Sequence, residues 1–232
     1  MSTSAARDRP RTAPGWPELL VGLAVLALVA YGTGPLVLTP LGVEGVARGL
    51  ALGALSGVAG IIAFLVALAL RVRRPEAFGV RGTTVRWLLL GVLGGLVALV
   101  VARIIGVITL LLGIQPENIQ QPYTEAGSAG VWSVVLSLLF LALLTPLGEE
   151  LLFRGVVTTV LLRYGAVVGV VGSAVVFALM HGINAVFFSA LVVGLVAGEL
   201  RRRSESVWPG VVVHVVNNAV SQLIALLLAG LL

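Results

Sequence analysis

Long apolar runs separated by short polar or arginine-bearing gaps make up nearly the whole chain. Runs that could cross all or most of roughly 30 Å of hydrocarbon fall at about 16–38, 47–70, 87–112, 131–163, 166–181, 185–200 and 207–228. They are continuous Leu, Val, Ala and Gly rather than short segments of alternating polarity, which excludes a transmembrane barrel. A backbone in lipid must satisfy its own hydrogen bonds, so each run predicts a helix. The expected fold class is therefore all-α, a polytopic transmembrane bundle of seven helices. Eight are expected if 131–163 is two short helices broken at Thr145-Pro146-Leu147-Gly148.

Charge decides between seven and eight. Arg7, Arg9 and Arg11 precede the first run, and Arg71, Arg73, Arg74, Arg81 and Arg86 crowd the gap after the second. If 131–163 is one crossing, about 50 Å long at 1.5 Å per residue and kinked at Pro146, Arg163 and the trio Arg201, Arg202 and Arg203 join them on one side. Two crossings would send that trio to the opposite side, against the positive-inside rule. Seven is the expected count, with the N-terminus cytoplasmic. The loop 113–130, which carries Glu117 and Glu125 and no basic residue, is then outside.

This topology divides the chain into a disordered cytoplasmic N-terminus at 1–15, three N-terminal transmembrane helices within 16–130, and a C-terminal transmembrane core at 131–232. The first helix reads as a signal anchor. A cleaved signal peptide would share its basic start and apolar core, but no small-x-small cleavage site follows. Gly49, Gly53 and Gly57 in the second run, and Gly94, Ala98, Ala102 and Gly106 in the third, recur at a four-residue spacing that lets another helix approach closely.

Composition agrees with this picture. The chain is 59% hydrophobic and 11% charged, with a mean hydropathy of +1.11, whereas a soluble domain holds about 25% charged residues. It reads as an integral membrane protein, and its arginine-only basic usage hints at a bacterial plasma membrane. The net charge of +5 reflects orientation in the bilayer, so no nucleic-acid partner is expected. The absence of cysteine excludes disulfides, thiolate metal ligands and a cysteine nucleophile.

Ionisable groups inside such runs stand out, because an Asp or Arg at the bilayer centre costs about 2.5–3.5 kcal/mol and usually marks a functional site. Glu149, Glu150 and Arg154 lie within 131–163. Glu150 and Arg154 are i,i+4 and can pair, while Glu149 is rotated by about 100° and offered to something else. Glu149 precedes Arg163 by fourteen residues and His181 follows Ala166 by fifteen, so both lie roughly 20 Å from the arginine side. His214 and Asn218 fall in the same layer, and Phe177 sits one turn from His181. A carboxylate offered beside two imidazoles and an amide suits general-base work on water.

Each piece also has a structural explanation: a hydrogen-bonding histidine or asparagine, or a Glu–Arg pair that holds two helices together. Arg103, inside the third run, reads as structural, snorkelling to the interface or pairing with a carboxylate. A proton-coupled transporter would use similar groups but calls for inverted repeats with broken helices in both halves. Here the polar residues gather in the C-terminal half.

Glu149-Glu150-x-x-x-Arg154, Phe177-x-x-x-His181 and His214-x-x-x-Asn218 resemble, in order, spacing and helical context, the three motifs of the CAAX-protease and bacteriocin-processing (CPBP, or Abi) family. These are intramembrane proteases that include the type II CAAX prenyl endopeptidases. The resemblance covers about residues 131–230, and the first three helices match only as generic spans. It implies an intramembrane endopeptidase acting on membrane-associated proteins or peptides; eukaryotic relatives trim the last three residues from prenylated CAAX proteins. Carried over by motif position, Glu149 would activate the hydrolytic water, and His181, His214 and Asn218 would stabilise the oxyanion or hold a metal. Glu150 and Arg154 would support the site, with Glu150 a candidate for a shared acid/base role. Glu149, His181 and His214 would be the ligands of a zinc or other divalent ion, although they lack the HExxH spacing. The family also admits non-catalytic membrane partners such as bacteriocin self-immunity proteins. Loss of a motif residue would point there, and all are present.

Overall fold

The computed structural model describes residues 13–113 and 120–231. The expected N-terminal tail up to residue 12 and the stretch 114–119, with Glu117, lie outside the described residues. Among the described residues seven main helices follow one another: α1 Trp16–Leu38, α2 Gly45–Leu70, α3 Val85–Leu111, α4 Val131–Tyr164, α5 Val168–Leu179, α6 Ala185–Ser204 and α7 Trp208–Leu228. A short helix, Gln121–Glu125, lies between α3 and α4, and no strand occurs among the described residues. All but α5 and α6 are both long and apolar enough to cross a membrane. The former is short, and the latter ends in Glu199 and three arginines.

The stretch 131–164 is one continuous helix, in agreement with seven segments rather than eight. Pro146 does not break it, because the backbone widens into π-type turns at Leu139–Leu144 and again at Leu151–Val157. A proline lacks the N–H and crowds the carbonyl four residues back, here Ala142, and a wider turn relieves both.

Small residues set the helix contacts, as expected where lipid is as apolar as leucine and close packing replaces the hydrophobic drive. Gly53, Gly57 and Gly60 of α2 face Leu141, Leu144 and Gly148 of α4 in the same sequence direction, so α2 and α4 run parallel. A methyl group on Gly57 or Gly148 would strike the other helix's backbone. Likewise Gly91 of α3 meets the Pro209 carbonyl and Val212 of α7, and Gly95 meets the Val213 carbonyl and Val216, so α3 and α7 are parallel. The small-residue stripe expected on α3 therefore divides. Gly94 and Ala98 pack, whereas Ala102 and Gly106 face open space.

The arginine-bearing ends lie together. Buried Glu18 accepts from the Gly15 N–H and from Arg71 Nε and Nη2 at 2.8, 2.8 and 2.6 Å, and Arg163 donates to the Pro14 carbonyl. Arg201, also buried, donates to the Arg154 carbonyl at 3.2 Å and to Thr159 at 2.9 Å. Arg81 pairs with Glu205, and Glu199 pairs with Arg202 and Arg203.

Candidate active site

The glycine contact between α2 and α4 places Ser56, one residue before Gly57, against Glu149. Ser56 Oγ donates to Glu149 Oε1 at 2.8 Å. With one oxygen held, the other points away. Glu149 Oε2 lies 3.9 Å from His181 Nε2 and 3.8 Å from His214 Nε2 and has no hydrogen-bond partner among the described residues. Glu149 thus converges on both histidines.

Glu150 turns the other way. Its Oε1 accepts from Arg154 Nη2 at 3.2 Å and lies 3.3 Å from His214 Nδ1, while Arg154 Nε stands 2.9 Å from Oε2 as an ion pair lying off the hydrogen-bond direction. Glu150 and Arg154 are wholly enclosed, and Gly210 of α7 leaves room for the Glu150 carboxylate, which a Cβ there would meet at 2.6 Å. Breaking such a buried pair costs about 3–5 kcal/mol, because the remaining charge is left uncompensated. The Arg154 guanidinium also lies over the Phe177 ring, 5.1 Å from its centre. That ring packs edge-on against His181 at 4.7 Å and His214 at 5.5 Å, so Phe177 is the wedge that orients both imidazoles.

The two rings share one orientation logic. His181 Nδ1 meets the Phe177 carbonyl at 3.0 Å, and a carbonyl only accepts, so Nδ1 carries the hydrogen. His214 Nδ1 faces the Glu150 carboxylate in the same way. Both Nε2 atoms are left toward Glu149, bare in a neutral ring and donors in a protonated one.

His181 sits just beyond the end of α5, which stops at Leu179, rather than on its last helical turn. The chain reverses through Gly182, whose φ of +81° favours a residue without a Cβ. Asn184 then caps α6, accepting from the Val186 N–H and donating to the His181 carbonyl at 2.7 Å. Tyr31 of α1 hydrogen-bonds the Met180 carbonyl in the same turn.

Asn218 lines the same cavity without touching Glu149. Its amide donates to the Leu141 carbonyl at 3.0 Å and its oxygen accepts from Asn217. The oxygen of Asn217, which spacing did not single out, has no partner among the described residues and lines the cavity too. Ser56 was also missed; its one signal was a hydroxyl inside a glycine stripe. The cavity measures about 460 Å³ and runs from Glu149 and the histidines past Asn217 to Arg103, Tyr123 and Thr124.

As a zinc site the arrangement is too open. Bonds of about 2.0–2.1 Å in tetrahedral array set ligand atoms about 3.3 Å apart, against 3.8 and 3.9 Å here. No set of three or more His, Asp or Glu among the described residues closes around a metal position. A water about 2.8 Å from Glu149 Oε2 and from either Nε2 atom is compatible with separations of 3.8 and 3.9 Å.

No curated protein and no solved structure gives a significant match to the chain. Residues 131–220, the stretch that holds Glu149, Glu150, Arg154, Phe177, His181, His214 and Asn218, match the family described as type II CAAX prenyl endopeptidase Rce1-like, in agreement with the resemblance carried by the three motifs.

Proposed function

We propose that this protein is an intramembrane endopeptidase that hydrolyses peptide bonds of membrane-associated proteins or peptides with a water activated by Glu149. The observation that carries the reading is the free oxygen of Glu149, set 3.8 and 3.9 Å from two Nε2 atoms on the wall of a cavity. Glu149 removes a proton from water as the hydroxide adds to the scissile carbonyl, and the same proton passes to the leaving amine when the C–N bond breaks. As an imidazolium backed by the Glu150 carboxylate, His214 donates Nε2–H to the oxyanion, and His181 adds a second donor from across the cavity only when its Nε2 also carries a hydrogen. Glu150 and Arg154 hold His214 in place, and Ser56 decides which oxygen of Glu149 faces the water. Asn218, bonded to the Leu141 carbonyl, fixes α7 against α4 and contributes to the wall on which a substrate rests. The chemistry is complete with water alone, and no step passes through a metal.

The same reading sets the protein in a bacterial plasma membrane with its arginine-bearing end in the cytoplasm. A comparison of membrane proteomes from cells carrying the wild type and Glu149→Gln tests it. Uncleaved precursors accumulate in the variant while its level and folding are unchanged. Equal processing in both strains removes Glu149 from the mechanism, and a complete absence of precursors supports a non-catalytic membrane partner instead.

A further inference from the structure

Asn217 lines the cavity one turn of α7 beyond His214, and the hydrolytic step leaves it unused. Residues three apart share a helix face and are separated by about 4.5 Å along the axis. The residue is only 6% exposed, and its Oδ1 is enclosed with no hydrogen-bond partner among the described residues. An acceptor held in that state is costly, so the site calls for a donor from outside the fold.

The direction of its amide is set by a chain of groups that begins at Pro146. In the widened turn of α4 the Thr145 N–H bonds the Phe140 carbonyl, five residues back. The residue that would serve the Leu141 carbonyl in the same register is Pro146, which has no N–H. Asn218 Nδ2 takes that carbonyl at 3.0 Å, and because a carbonyl only accepts, the Asn218 amide must face it with its nitrogen. The Asn218 oxygen is thereby turned toward Asn217, where it accepts from Nδ2 at 3.2 Å. What remains at the end of the chain is the Asn217 oxygen, so this part of the wall presents an acceptor and not a donor.

We propose that Asn217 Oδ1 accepts a hydrogen bond from a backbone N–H of the bound peptide, with Asn218 as the positioning residue that fixes its direction. This rests on the hydrolase reading for its purpose but not for its test. An extended peptide turns an N–H and a carbonyl to the same side at every second residue, a repeat of about 6.6 Å. A chain whose scissile carbonyl meets His214 Nε2 therefore brings a backbone N–H close to Asn217, about 4.5 Å further along α7. The contact reads no side chain. It holds the strand at a fixed height, so that a carbonyl rather than a side chain is centred between His214 and Glu149.

The experiment uses the full-length protein in detergent, carrying Glu149→Gln so that bound peptide is not consumed, and an N-acetylated apolar pentapeptide amide. Each backbone amide is replaced in turn by an ester, which removes one N–H with little change of shape. Calorimetry is expected to show one position at which the ester binds about tenfold more weakly, the ratio falling to about one when Asn217→Leu or Asn217→Ala is added and falling in part with Asn218→Ala. No bound peptide, no ester-sensitive position, or a ratio that survives both Asn217 substitutions overturns the proposal. An unchanged ratio in Asn218→Ala overturns the positioning role of Asn218. Hydrolysis of the same series by the protein with Glu149 intact is measured in parallel. Amide-selective binding without hydrolysis leaves the Asn217 contact standing and removes the hydrolase reading, whereas hydrolysis indifferent to every ester outside the scissile bond does the reverse.

Discussion

Two sets of polar groups in this bundle are treated in opposite ways. From the arginine-bearing end up to the histidine layer, buried charges meet an opposite charge, a carbonyl or a hydroxyl: Glu18 with Arg71, Glu150 with Arg154, and Arg201 with the Arg154 carbonyl and Thr159. In the cavity, Glu149 Oε2 and Asn217 Oδ1 have no hydrogen-bond partner among the described residues, whereas Glu150 Oε2 and the Arg154 Nε and Nη1 atoms that also lack one belong to a closed ion pair. A buried polar group without a partner is costly and rare in a settled fold. The difference separates groups that hold the helices together from groups kept for a visitor, and it makes substitutions in the two sets fail differently.

The largest effect is expected from Glu149→Gln. Loss of a general base removes about 10²–10⁴ in rate, and thermal unfolding in detergent should be unchanged, because the amide keeps the Ser56 contact. If the variant instead fails to fold, Glu149 belongs with the holding groups and the division is wrong. Arg154→Met should act the other way. It leaves Glu150 buried without its cation and lowers stability by about 3–5 kcal/mol, read as a lower unfolding temperature. Glu150→Gln in the same background should recover part of that loss without restoring activity.

Smaller changes sharpen the contrast. Ser56→Ala frees the Glu149 carboxylate to rotate, and a hydrogen bond to a charged group is worth about 1.5–3 kcal/mol. A kcat lowered by about tenfold or more, with KM little altered, is the expected outcome. A change in KM alone would make Ser56 part of the substrate wall. The smallest effect belongs to Arg202→Ala, which breaks a part-exposed pair with Glu199 worth about 1 kcal/mol or less. Neither cleavage nor unfolding temperature should move measurably.

Much of this was legible in the chain. The arginine gaps decided that 131–164 is one helix, and i,i+4 spacing separated Glu150 with Arg154 from Glu149. The depth count that set Glu149, His181 and His214 in one layer agrees with their mutual distances. Relations between helices were not legible. The four-residue glycine spacing on α2 announced a close contact but not that its partner would be Gly148, and so not that Ser56 would reach Glu149. The spacing favoured Asn218, while its neighbour Asn217 is the one with an oxygen free among the described residues, because a phase difference of one residue on α7 depends on the packing against α4. Arg103 read as snorkelling or pairing with a carboxylate, and a sequence does not show that it also lines a cavity.

The meeting of Gly57 with Gly148 has a consequence for how the molecule can be taken apart. Every motif residue lies beyond Val131, yet the hydroxyl that holds the Glu149 carboxylate arrives on α2. A fragment beginning at residue 131 would carry all the recognisable signatures and lack the hand that aims them. Two separately made pieces, 1–130 and 131–232, should regain hydrolysis only when reassembled, and a bulkier residue at Gly57 should defeat the reassembly while leaving each piece inserted in the membrane.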